Sequence, residues 1–192
     1  MNFERHNSIV EEALRSISSE PTRLRLARES DAQFIFSLRS DAILARHLSA
    51  PPADLSAQRE WIARYLARHL QGLEHYFIVE SNAGSIGTVR MYNYDPADGS
   101  FTWGSWIIRR GEPPSCAISV MIQVYDIAFR ALGFLQAKFE AKADNLSVLA
   151  LNRYLGASQV GQNKDSVSFR ILADEYEKTV RLRLLDLLGR AP

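Results

Sequence analysis

The 192-residue chain is 46% hydrophobic and 23% charged, an ordinary balance for a soluble globular protein with one real core. Its 23 Lys plus Arg against 22 Asp plus Glu leave a net charge of +1, so neither a nucleic-acid-binding face nor a polybasic membrane anchor is expected. The single cysteine, Cys116, excludes an intrachain disulfide. The first residues carry no signal-peptide core, and no run of about 18 apolar residues exists to cross a membrane, so a cytoplasmic location is expected.

In chain order, "NSIVEEALRSISS" puts Ile9, Val10, Ala13, Leu14 and Ile17 on one helical face, with Ser8 and Glu11 spaced as a capping box. "TRLRLARES" alternates as a strand, and Ser30 or Asp31 caps a helix carrying Phe34, Ile35 and Leu38. After a proline break, Ser56 is the expected cap of a helix burying Trp61, Ile62, Tyr65, Leu66 and Leu70. "HYFIVE", "SIGTVRMYNYD" and "SFTWGSWIIRR", separated by the turns "SNAG" and "DPADG", predict three consecutive antiparallel strands. Gly104 inside the last of them suggests a bulge or a close backbone approach.

The segment 109–129, "RRGEPPSCAISVMIQVYDIAF", leads from strand through a short loop into a helix, the order of a phosphate-binding turn. The helix shows an apolar face of Ile118, Met121, Ile122, Tyr125, Phe129 and Leu132, and a polar stripe of Ser119, Gln123, Asp126 and Arg130. "LQAKFEAKA" alternates Leu135, Ala137, Phe139 and Ala141 against Gln136, Lys138, Glu140 and Lys142. A short helix follows, capped by Asp144 or Asn145 and closed by Gly156. "SVSFRIL" is a last strand and "DEYEKTVRLRLLDLLGR" a leucine-rich helix. The strand–helix–strand unit around 115–132 calls for parallel strands, so the fold class is mixed α/β (α+β) around one central, mostly antiparallel sheet. The C-terminal leucines serve either a homodimer or the chain's own domain.

The segments "IGTVRMYNYD", "GSWIIRR" and "VYDIAFRALGFLQAKFEAKADNLSVLALNRYLGA" resemble the GNAT superfamily of acetyl-CoA-dependent N-acetyltransferases over about residues 22–173. The expected division is a 1–21 helical extension, a 22–173 acetyltransferase domain and a 174–192 helical extension. The resemblance implies acetyl-CoA as co-substrate. The pantetheine arm would lie along Trp106, Ile107 and Ile108. The pyrophosphate would sit at the helix start formed by Pro114, Ser115, Cys116, Ala117 and Ile118, with Asn145 either a further cofactor contact or simply a helix cap. The family's loop is glycine-rich. Here Pro113 and Ser115 stand where glycines are usual, so the loop is either rebuilt with fewer N–H donors or has lost the cofactor.

Direct attack of an amine on a thioester needs a base, a polarised carbonyl and close placement, but no metal and no covalent intermediate. Glu140 is the candidate base, with an ion pair to Lys138 or Lys142 as the alternative. The family's leaving-group tyrosine falls on Asn152, which can hydrogen-bond the sulfur but is no acid. His47, Arg90, Tyr92 and Trp103 are candidates to line the acceptor site. Cys116 at a helix start invites a nucleophile reading, but the mechanism needs none. The expected acceptor is a small amine or amino sugar, with a protein N-terminus as a further candidate. A non-catalytic acyl-CoA-binding protein of the same shape is the alternative.

Overall fold

Helices cover both faces of a twisted seven-stranded sheet in this computed structural model, which describes residues 5–17 and 19–190. The first half comprises α1 (His6–Ser16), β1 (Arg23–Leu26), α2 (Ala32–Ser40), α3 (Leu55–Leu70), β2 (His75–Ser81), β3 (Gly84–Asp95) and β4 (Ser100–Ile108). The second half comprises α4 (Pro114–Tyr125), which continues as a π-helical turn (Asp126–Ala131), then β5 (Gln136–Lys142), α5 (Leu146–Leu155), β6 (Ser158–Gln162) and β7 (Ser166–Leu172). A continuous C-terminal helix runs through α6 (Ala173–Glu175), a π-helical stretch (Tyr176–Val180) and α7 (Arg181–Arg190).

The strand order is β1-β2-β3-β4-β5-β7-β6. Among the described residues only the β4–β5 pair is parallel, as the strand–helix–strand pattern predicts. β2 is buried on both faces, which its unbroken apolar run requires. Phe77 and Val79 enter the large core with Val10, Tyr125, Phe129, Val180 and Leu184 of α1, α4 and the C-terminal helix. Tyr76 and Ile78 face the smaller core with Ile35, Ile62 and Tyr65 of α2 and α3. The C-terminal leucines therefore pack on their own domain through Leu184, Leu187 and Leu188, while Leu182 and Leu185 stay exposed.

Several local expectations are corrected. Ser8 lies inside α1 and its hydroxyl bonds the Arg5 carbonyl, so it caps nothing. Asp54, not Ser56, caps α3 by accepting from Ala57 N–H at 2.8 Å. Leu135 is exposed and precedes β5. Strand β6 was not foreseen, because "SQVGQ" is an almost wholly exposed edge with no apolar face. The polar stripe of α4 is buried at Ser119, Gln123 and Asp126. Ser119 and Gln123 bond Thr22 beside β1, and Asp126 accepts from Tyr176 and Arg181 of the C-terminal helix. The stripe is an internal seam that ties α4 to β1 on one side and to the C-terminal helix on the other.

Two features of the fold give direct tests. A β-carbon on Gly87 of β3 would lie 2.2 Å from the Ile107 carbonyl oxygen of β4, a backbone atom that cannot give way. Gly87→Ala should therefore lower stability by about 1–3 kcal/mol by urea unfolding; a wild-type midpoint would contradict the contact.

The second is His75, fully buried and pushed down to about 3 chiefly by desolvation. Asn7 Oδ1 can only accept, so His75 Nε2 donates to it and Nδ1 accepts from the Tyr94 hydroxyl at 2.7 Å. Below the ordinary histidine value the unfolded chain takes up a proton that the native chain refuses. Stability is thus full above about pH 6.5 and falls by up to about 1.4 kcal/mol per pH unit as pH drops toward the folded value. His6 and His69, also lowered by burial, add to the slope. Urea midpoints should drop from pH 7.5 to 5, less so in His75→Gln; parallel pH dependences would contradict this.

Candidate active site

The β4–β5 ladder stops after two pairs, Ser100–Gln136 and Phe101–Ala137. Beyond Phe101 the two strands diverge, and the β5-facing backbone of β4 has no strand partner. A bulge adds to the divergence. Thr88 pairs Ile107 but Arg90 pairs Gly104, so β4 carries one extra residue there. Ser105 takes it up at φ 48°, a left-handed conformation that costs a non-glycine residue about 1–2 kcal/mol. Its carbonyl is held by the Thr88 hydroxyl at 3.1 Å. The bulge anticipated at Gly104 thus falls on the next residue. Gly104 instead admits the Tyr92 ring, whose hydroxyl would sit 3.1 Å from any β-carbon there.

Two cavities meet at this divergence. A slot of about 180 Å³ runs between β4 and α5, lined by Trp106, Met121, Val148, Leu151, Asn145 and Asn152 among others. An open cleft of about 890 Å³ lies over the half of the sheet that α2 and α3 leave uncovered. Its floor is the outward side of the strands: Tyr92 and Thr102 with Lys138, Glu140, Ser168 and Arg170. Trp103, Gly104, Ser105, Phe139, Glu140, His47 and Leu48 belong to both cavities and mark the junction.

Glu140 stands at that junction. Its carboxylate accepts from the Ser166 and Ser168 hydroxyls at 3.3 and 3.2 Å. Neither expected lysine pairs with it; Lys138 binds Asp98 instead. Above it, the α2–α3 loop brings His47 to 3.3 Å from Asp144. Arg46 Nε donates to His47 Nε2, so Nδ1 carries the proton that faces Asp144. This clasp joins the loop to the turn before α5.

Trp103 is fixed as a wall, with its indole N–H on the Tyr125 hydroxyl at 3.1 Å. Tyr92 is in the cleft, but Arg90 is not. Its guanidinium is held by the buried Glu74, lies 4.5 Å from the Tyr92 ring centre and borders a side pocket of about 270 Å³. Arg39, a residue the sequence did not single out, lines both that pocket and the cleft.

Asn145 caps α5 by accepting from Val148 N–H, and it also lines the slot. Asn152 is buried in the slot, and its side chain makes no hydrogen bond among the described residues. Trp106 has a buried indole N–H without an acceptor among the described residues. Ile107 is buried and Ile108 packs against the large core; neither side chain lines the slot, so any contact they make with a ligand there is through backbone.

The helix start lies beyond both cavities. Pro113 caps α4 and Pro114 opens it, a position where a missing N–H is harmless to the helix. Cys116 N–H bonds the Pro113 carbonyl at 3.0 Å, while Ser115 N–H has no backbone acceptor among the described residues. The side chains of Cys116 and Ile118 are in the core. Burial pushes the Cys116 thiol up, the wrong direction for a nucleophile. Among the described residues no cluster of His, Cys, Asp or Glu could hold a metal, and no helix is long and apolar enough to cross a membrane.

This geometry is matched by known proteins. The profile of the acetyltransferase (GNAT) domain family covers residues 22–158. FdhC, described as a nucleotide-linked sugar GNAT and solved without ligand, is 31% identical with a TM-score of 0.80, over 90% of this chain and 98% of that one. RimJ of Mycobacterium smegmatis, in complex with CoA-disulfide, is 20% identical with a TM-score of 0.75, over 88% and 90% of the two chains. Spermidine N-acetyltransferase of Vibrio cholerae, in complex with CoA and spermine, is 18% identical with a TM-score of 0.72, over 83% and 100%. A search of curated protein sequences gives no match. The diverging β4–β5 pair with its bulge, the slot beside α5 and the profile over most of the chain agree: the protein belongs to the GNAT acetyltransferase family.

Proposed function

We propose that the protein transfers an acetyl group from acetyl-CoA to the amine of a small acceptor, an amino sugar in preference to a polyamine. The observation that carries this is the meeting of a narrow, largely apolar slot with a wide polar cleft at one carboxylate, Glu140. The slot suits a pantetheine arm. Its walls are Trp106, Met121, Val148 and Leu151, and the unpaired edge of β4 offers backbone groups as a strand-like partner. When bound, the thioester supplies an acyl carbon open to attack and a thiolate leaving group.

The chain's own groups have distinct tasks. Glu140, held by two serine hydroxyls that leave it lone pairs to spare, takes the proton that the attacking amine loses. Backbone N–H groups beyond the Ser105 bulge polarise the acyl oxygen. Asn152 hydrogen-bonds the sulfur or a pantetheine amide, and Asn145 contacts the arm from the cap of α5. Ser115 N–H receives a phosphate at the positive end of α4, where the N–H groups of Ala117 and Ile118 already bond the Pro113 and Pro114 carbonyls. His47, Tyr92 and Trp103 border the acceptor. The FdhC likeness at 31% identity supports a sugar acceptor.

A second reading, acyl-CoA binding without transfer, rests on Pro113 and Pro114, which remove two N–H donors, and on an amide at position 152. Thiol release separates the two. With acetyl-CoA and a panel of amino sugars, amines and peptides, turnover with an N-acetylated product by mass spectrometry is expected. Cofactor binding without thiol release over the whole panel would favour the second reading.

A further inference from the structure

Three cations face the open cleft: Arg39, Lys138 and Arg170. Lys138 and Arg170 are direct partners across the antiparallel β5–β7 pair. Like charges placed opposite one another on one face of a sheet weaken the pairing. Lys138 is neutralised by Asp98. Arg170 has no carboxylate partner among the described residues, and its Nε is buried with no hydrogen-bond acceptor. A buried donor left unsatisfied is costly. Arg39 enters from α2 on the other wall, where one terminal nitrogen bonds the Ser49 carbonyl at 3.0 Å and the Ala50 carbonyl at 3.1 Å. It too has no carboxylate partner among the described residues. The acids lining the cleft are Asp98, already paired, and Glu140, two residues from Lys138 on the same face of β5 and held by the Ser166 and Ser168 hydroxyls. The local excess of positive charge is therefore a property of this floor and not of the chain, whose net charge is +1.

We propose that Arg170, with Arg39 and Lys138, forms a subsite for a phosphate or diphosphate carried by the acceptor. The guanidinium fork matches phosphate oxygens with paired N–H donors, and such a ligand supplies the anionic partner that the Arg170 guanidinium lacks. A cleft of about 890 Å³ holds far more than a simple amine. The same charges disfavour a polyamine. The inference rests on the cleft being the acceptor site. It adds the acceptor's second recognition element and names Arg170 as the residue that selects for it.

The test is calorimetry with acetyl-CoA saturating, so that the donor slot cannot take the probe. Glucosamine, glucosamine 1-phosphate, UDP-glucosamine and spermidine are titrated into wild type, Arg170→Ala and Arg170→Lys. At least one phosphate-bearing probe should bind tenfold or more tightly than glucosamine and spermidine. Arg170→Ala should lose at least tenfold of that affinity and Arg170→Lys less. The affinity for acetyl-CoA and the melting temperature should not change, since the substitution removes an unsatisfied group. Binding of glucosamine 1-phosphate as tight as that of UDP-glucosamine would assign a monophosphate; a preference for UDP-glucosamine would assign a diphosphate. Equal binding of phosphorylated and unphosphorylated probes, no binding of either phosphate-bearing probe, or an unchanged affinity in Arg170→Ala would overturn the proposal. Failure of acetyl-CoA itself to bind would count against the donor slot. The phosphate titrations, repeated without it, would still judge Arg170.

Discussion

Glu140→Gln should lower kcat by about 10²–10⁴-fold while leaving the affinity for acetyl-CoA unchanged. The amide keeps the size of the carboxylate and one acceptor oxygen for Ser166 or Ser168, so the junction stays intact. What is lost is the ability to take a proton. A drop in kcat with a constant KM for the donor is the signature of a group used in the transition state. Steady-state thiol release, paired with a calorimetric titration of the donor, measures both numbers. A loss of less than about threefold would assign the proton transfer to another group and leave Glu140 as a hydrogen-bonded fixture of β5.

The largest stability effect is expected at Glu74. Its carboxylate is 2% exposed and binds both Arg68 and Arg90. Arg90 is itself only 19% exposed and lies against the Trp61 and Tyr92 rings. Glu74→Ala strands this cation where water reaches it poorly, and breaking such a pair costs about 3–5 kcal/mol. Arg68 is more exposed and can re-solvate, so most of the loss belongs to Arg90. Chemical unfolding gives the figure directly, and a change below about 1 kcal/mol would show that Arg90 finds another partner. Because Arg90 stacks on Tyr92, a floor residue of the cleft, the surviving protein should also bind its acceptor less well.

Periodicity carried most of the fold. The long apolar face of α4, the alternation of "LQAKFEAKA" and the three β-rich runs each have one physical solution, and the structure adopts it. The misses have local causes. β6 is held by pairing to β7 and buries nothing, so no hydrophobic pattern announces it. The helix begins at Leu55, one residue before Ser56, so the cap falls on Asp54, whose side chain accepts from Ala57 N–H. Ser119, Gln123 and Asp126 stand out in the sequence as a polar stripe, but polar residues spaced by three and four look alike whether they face water or other buried groups.

The site was less legible than the fold. Lys138 and Glu140 lie plainly on the outward side of β5, but the sequence does not say that helices stop short of this half of the sheet and turn that side into a cleft floor. Arg170 is one arginine in an ordinary strand and Arg39 one in an ordinary helix. Their lack of carboxylate partners exists only in three dimensions. Ser105 carries no mark of the bulge that it forms, and the neighbouring Gly104 drew attention for a different reason, the approach of Tyr92. His75 likewise reads as the polar start of a strand, whereas burial makes it a point at which acid weakens the fold.

The most direct test of the whole account is a calorimetric titration of the protein with acetyl-CoA, compared with acetyl-pantetheine, which lacks the nucleotide and all of its phosphates. The account predicts a dissociation constant in the micromolar range, about −8 kcal/mol, with clear weakening when the phosphates are removed, because the start of α4 still grips them without the usual glycines. No heat and no thermal shift at millimolar acetyl-CoA would contradict it and leave a GNAT-shaped protein whose slot serves another ligand.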